Sequence, residues 1–283
     1  MFWTRLLSGI GLLALAGLFV YLGGISMAAI LLILSLTAYF EMGRALKLFD
    51  KKQNALMIWG YIAITGYYVT LALCKDTRLL MMVAILGIIG YLVVYVFSFP
   101  KYEVSHITGA VYAFAYAPVM LSFMGLTRYL NNGFYLVWII FISAWGSDTL
   151  AYCVGMLFGK TIGNHKMTPK LSPKKSIEGA VGGILGAALL AWLYGHFVMS
   201  RVVTDIPNLE WLLALIGACG GACAMVGDLA ASAVKRNTGI KDYGHCIPGH
   251  GGILDRFDSM IFTAPLTYFL VIMLLSVERL ING

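Results

Sequence analysis

The chain alternates long apolar runs with short polar breaks. Nine runs stand out, at residues 6–22, 26–46, 55–73, 79–99, 107–126, 134–158, 180–198, 211–233 and 259–277. A helix needs about 20 apolar residues to cross a bilayer, and each run is near that length. Lipid offers no partner to a bare backbone N–H or C=O, so only helices or closed barrels span it. These runs are too long and too continuous for barrel strands. The pattern therefore predicts an all-α polytopic integral membrane protein with about nine transmembrane helices. Ala14-Leu15-Ala16 in the first run resembles a signal-peptide cleavage site, but eight further runs favour a retained first helix. No internal repeat is visible. The expected organisation is a single membrane domain, 1–283, with amino-terminal helices over 1–130 and a chemistry-bearing carboxyl-terminal half over 131–283.

Composition agrees. The chain is 60% hydrophobic and 12% charged, with mean hydropathy +0.85, against about 25% charged residues in a soluble domain. The formal charge of +7 does not point to nucleic acid, because in a polytopic protein cations collect in cytoplasmic loops. With the amino terminus placed inside and the runs alternating, 15 of the 20 Lys and Arg fall on the inner side. Both charge-rich loops, 159–179 and 236–258, then face the cytoplasm, where soluble nucleotides are found. The five cysteines lack metal-site spacing and read as small hydrophobes. Glu41 and Arg44, three residues apart, read as an ion pair at a cytoplasmic helix end.

The exception to the apolar pattern is 227–258, which gathers four aspartates, four cations, two histidines and six glycines between two apolar runs. Charge beside lipid is costly and usually has a use. If the eighth helix continues through Asp228, then Asp228, Ser232 and Lys235 share one face; a metal or phosphate site and a plain internal ion pair are both open readings. The run Gly249-His250-Gly251-Gly252 frees the backbone to turn N–H groups toward an anion. Asp255 and Asp258 fall at the start of the ninth helix, as helix caps or as carboxylates suited to Mg²⁺, which takes oxygen ligands and keeps phosphates and water in its shell. Ser172, Lys174, Lys175 and Ser176 precede another helix start, which suits an anion site and equally an ordinary positive-inside loop. Asp148 lies within the sixth run, as a functional carboxylate or a polar contact between helices. There is no Walker A motif and no kinase loop set.

The stretch resembles the signature of the phosphatidate cytidylyltransferase, or CDP-diacylglycerol synthase, family. Its positions are filled here by Ser232, Lys235-Arg236, Lys241-Asp242, His250-Gly251-Gly252, Asp255-Arg256 and Asp258, over 27 residues. Gly227-Asp228 and Ser172 to Ser176 also look like the family's. Ala231 departs from it, where many relatives carry an acidic residue. The resemblance implies the reaction CTP + phosphatidic acid → CDP-diacylglycerol + pyrophosphate in phospholipid biosynthesis, with Mg²⁺ and room for a second cation. It implies a bacterial cytoplasmic (inner) membrane location with the active site on the cytoplasmic side, and leaves a homodimer open. On this reading Asp228, Asp255 and Asp258 hold metal. Lys235, Arg236, Lys241 and Arg256 neutralise phosphates. His250, Gly251 and Gly252 cradle the triphosphate, with Ser232 beside them, and Ser172, Lys174, Lys175 and Ser176 close over nucleotide or lipid head group.

Two rivals remain at this point. A CTP-dependent lipid-alcohol kinase would release CDP and not pyrophosphate. A transporter would use Asp148 and Asp228 to couple ions, although such folds tend to show repeats.

Overall fold

A computed structural model describes residues 2–48, 54–158, 165–246 and 251–282. Among the described residues nine long helices follow in order: α1 (Phe2–Leu22), α2 (Gly24–Ala45), α3 (Asn54–Cys74), α4 (Thr77–Phe97), α5 (Val104–Tyr129), α6 (Gly133–Leu157), α7 (Ile177–Phe197), α8 (Leu209–Thr238) and α9 (Leu254–Asn282). Eight of them, α2 to α9, are long and apolar enough to cross a membrane, and α1 contributes a shorter apolar stretch, Leu13–Leu22. This is an all-α polytopic membrane protein. One short antiparallel hairpin, β1 (Lys166–Thr168) and β2 (Ser172–Ser176), interrupts the helices. Its segment reads as a loop in the sequence, because Pro173 and four nearby lysines hide any strand pattern.

The chain forms two compact units, Met1–Tyr129 with Asn237–Phe257, and Leu130–Arg236 with Asp258–Gly283. In the first, α2 to α5 are joined by buried hydroxyls. Tyr91 donates to Tyr39 (2.9 Å), Ser35 to Tyr68 (2.7 Å), and Tyr68 to the Pro118 carbonyl (2.8 Å). Helices in lipid gain little from apolar burial against one another, so such bonds and close packing hold them together. Pro118 lies in a widened, π-type turn, Ala115–Val119, within α5.

The second unit packs through small residues. A Cβ on Gly179 would stand 2.8 Å from the Ala151 carbonyl, and one on Gly183 would stand 2.9 Å from that of Ser147. These glycines let α7 lie directly against α6. Gly217 does the same for α8 against Ala187 of α7. In this unit Leu136, Ile139, Leu209, Leu213, Ile216 and Val271 form a buried apolar cluster.

Candidate functional site

In the second unit, α6 carries a widened turn at Ile142–Gly146, immediately before Ser147 and Asp148. Such single-turn π segments recur at functional sites. Helix α8 runs without a break through Asp228, Ser232, Lys235 and Arg236, so the predicted one-sided stripe is present. Gly227 brings α9 close, since a Cβ there would stand 2.6 Å from the Asp258 carbonyl. Asp258 is buried and accepts from the Ser259 N–H at 2.8 Å. It lies within electrostatic range of Asp228, Asp148 and Lys235. Asp148 accepts from the Ser259 hydroxyl at 3.4 Å.

The hairpin delivers the cations. Lys175 reaches Asp228, Nζ to Oδ2 2.5 Å. Ser176 is the N-cap of α7 and accepts from the Gly179 N–H at 3.1 Å. His165 and Glu178 tie the hairpin to the first turn of α7 at 2.6 Å. A cavity of about 570 Å³ opens among these groups. Asp148, Asp228, Lys166, Lys174, Lys175 and Ser176 give it a polar lining, and Tyr152, Met156 and Met225 give it an apolar one. Ser172 begins β2 opposite Thr168, and Arg236 is exposed near the end of α8.

In the first unit lie Lys241, Gly251, Gly252, Asp255 and Arg256; His250 falls outside the described residues. Asp255 is the second residue of α9, and its Oδ2 accepts from the N–H groups of Tyr243 (2.8 Å) and Gly252 (3.0 Å). Gly251 has φ +86, and a Cβ there would stand 2.9 Å from Asp255 Oδ2, so the backbone closes on this carboxylate only as glycine. Lys241 is exposed and Arg256 half-buried.

The model of the cytidylyltransferase family matches residues 3–274, nearly the whole chain. The chain belongs to the cytidylyltransferase family. Proteins named phosphatidate cytidylyltransferase are similar to it. That of Bacillus subtilis (strain 168) is 31% identical over 94% of this chain and 96% of its own length. That of Staphylococcus saprophyticus is 35% identical over 55% of this chain and 56% of its own length. That of Synechocystis sp. is 36% identical over 52% and 46%. The chain thus spans about half the length of the first curated relatives it matches.

Two residues of this cytidylyltransferase-family chain have roles that differ from the ion pair expected of them. Glu41 and Arg44 form no salt bridge with each other among the described residues. Glu41 instead accepts from the N–H groups of Ile253 (3.0 Å) and Leu254 (2.8 Å), and Arg44 donates to the Tyr243 carbonyl. These partners are about 200 residues away in sequence, so local spacing cannot reveal them. The signal that was present is a carboxylate inside an apolar run. Gly252 was expected to aim its N–H at a bound phosphate; here that N–H is taken by Asp255.

No group of three or more His, Cys, Asp or Glu among the described residues is arranged to hold a metal ion by itself. Asp228 and the buried Asp258 nevertheless supply an oxygen-only donor pair. That pair fits Mg²⁺, which often takes one or two carboxylates and completes its shell with phosphate and water.

Proposed function

We propose that the protein is a phosphatidate cytidylyltransferase, an enzyme that converts CTP and phosphatidic acid to CDP-diacylglycerol and pyrophosphate. The observation that carries the proposal is the ion pair of Lys175 with Asp228 in a cavity that is charged on one part of its lining and apolar on another. A phospholipid with a phosphate head group has that same division. Family membership and the relatives' printed names support the choice of nucleotide and lipid.

A phosphate oxygen of the lipid attacks the α-phosphorus of CTP. A new P–O bond forms, the α–β bridging P–O bond breaks, and the electron pair leaves with pyrophosphate. The phosphate oxygen is already anionic, so no strong base is required. The obstacle is bringing two polyanions together, which positioning and fixed charge overcome. Lys174 and Lys175 take the phosphates, with Ser172 and Ser176 beside them on the hairpin. Lys235 and Arg236 neutralise the triphosphate, and Ser232 lies on the same helical face as Lys235; the resemblance of the signature is what assigns Lys241 and Arg256 to phosphate. Tyr152, Met156 and Met225 receive the first carbons of the acyl chains. Asp228 and Asp258 would hold Mg²⁺, with Asp148 nearby. The resemblance of the signature is what assigns Asp255 to metal; in the first unit its carboxylate accepts from the N–H groups of Tyr243 and Gly252. Bound there, Mg²⁺ would offset negative charge on the phosphates and polarise the α-phosphorus. The charge bias supports a site on the cytoplasmic side, and the bacterial origin of the relatives supports a bacterial inner (cytoplasmic) membrane.

The test is purified protein in phospholipid nanodiscs with phosphatidic acid, Mg²⁺ and CTP labelled at the α-phosphate. The expected result is label in a lipid product together with free pyrophosphate. Label released as CDP would overturn the proposal in favour of a lipid kinase. CTP-independent ion flux in sealed vesicles, with no labelled lipid, would replace it with a transporter.

A further inference from the structure

We propose that Glu41, on α2, is a positioning residue for the signature residues of the first unit. It holds loop residues 243–246 and 251–253 and the start of α9 in the arrangement that presents Gly251, Gly252, Asp255 and Arg256. The inference rests on the proposed function for what the loop handles, but its physical content does not.

Glu41 is 1% exposed, near the end of an apolar helix. A buried carboxylate needs its charge met. No salt bridge to it occurs among the described residues. Its two oxygens each accept one backbone N–H, from Ile253 and Leu254, at the point where α9 begins. The first N–H groups of a helix lack intrahelical partners and carry partial positive charge, so an anion from another helix completes them. The loop is shaped around this group. A Cβ on Gly244 or on Gly252 would overlap the Glu41 carboxyl group. The Cys246 side chain is also hydrogen-bonded to it. One turn along α2, Arg44 donates to the carbonyl of Tyr243, whose N–H is held by Asp255. The described parts of the loop, 243–246 and 251–253, are thus fastened by two residues of α2 and by Asp255.

Glu41 forms no ion pair with a cation assigned to phosphate among the described residues and meets the loop at its backbone, so its effect passes through backbone placement. Removing it leaves Ile253 and Leu254 N–H without acceptors, and the loop must shift or open. Cys246 offers an independent report. Burial and the neighbouring Glu41 carboxylate push its thiol above the ordinary value. The thiolate is the reactive form, so loss of the carboxylate makes Cys246 react faster near neutral pH.

The experiment uses the full chain in nanodiscs with Glu41→Ala and Glu41→Gln, the latter keeping one acceptor oxygen and the side-chain shape. Three readouts are taken: hydrogen exchange of the Ile253 and Leu254 amides, maleimide labelling of Cys246 resolved by peptide mass, and kcat and KM for CTP. For Glu41→Ala we expect exchange at both amides to quicken about 10–100-fold, as for loss of hydrogen bonds to a charged group. Cys246 labelling quickens, and KM for CTP rises or kcat falls about tenfold or more. Glu41→Gln falls between this and wild type. A Glu41→Ala protein with wild-type exchange, labelling and kinetics overturns the proposal. So does one that loses only the folded fraction while KM and the two amides in that fraction stay unchanged. If the wild-type protein makes no cytidylylated lipid, the functional reading fails, and exchange and labelling still decide the role of Glu41.

Discussion

The two units treat carboxylates beside lipid in opposite ways. In the first, Glu41 and Asp255 are met by backbone N–H groups of Ile253, Leu254, Tyr243 and Gly252. In the second, Asp228 is met by the side chain of Lys175, and Asp258 lies buried within range of the like charges of Asp228 and Asp148. A backbone donor is fixed by the course of the chain and leaves only if the fold opens. A lysine on a hairpin turns away by rotating its own bonds. The first arrangement makes scaffold. The second keeps negative charge crowded and its counter-ion exchangeable, which is what a site for phosphates and a cation requires.

The contrast breaks most readily at Asp258. Asp258→Asn should lower turnover about 10²–10³-fold, as loss of a preorganised charge in a reaction centre does. It should not lower the melting temperature, because it relieves a buried like-charge contact. A fall in melting temperature matching that of Glu41→Ala would make Asp258 scaffold too. A smaller effect is expected at Lys175. Lys175→Met should cost about 10–100-fold in turnover, the range for bonds to charged groups. It should also tighten Mn²⁺ binding measured by electron paramagnetic resonance without nucleotide, because Asp228 loses its competing ammonium. Weaker Mn²⁺ binding would mean that the ion pair organises the carboxylates and does not compete for them. The smallest effect belongs to Ser176, an N-cap. Ser176→Ala should reduce stability by about 1 kcal/mol, read by chemical denaturation. A stability loss of several kcal/mol would place the hairpin with the scaffold.

Much of the architecture was legible in the apolar runs, since lipid imposes one length on every crossing helix. The eighth apolar run covers 211–233, yet α8 extends to Thr238; the ninth apolar run begins at 259, yet α9 starts at Leu254, where the sequence places Asp255 and Asp258 at its opening. Hydropathy ends where charge begins, but a helix ends where its caps are. In α9 the capping acceptor is Glu41, which no local pattern reveals. The same reason hid the role of Arg44. The Asp228, Ser232 and Lys235 stripe is legible because helical spacing is local, whereas the approach of Asp258 to Gly227 is a contact between helices that spacing does not carry. The β1–β2 hairpin is not legible, because its strands hold Pro173 and charges in place of alternating apolar residues.

The widened turn at Ile142–Gly146 has one more implication. It takes up one residue more than an α turn, so the helix beyond it keeps its angular setting. Substitutions that drove the same residues back to α geometry, with none deleted, would swing everything after them round the axis by about 100°. Asp148, which lines the cavity, would turn away from it while the apolar length of the span stayed the same.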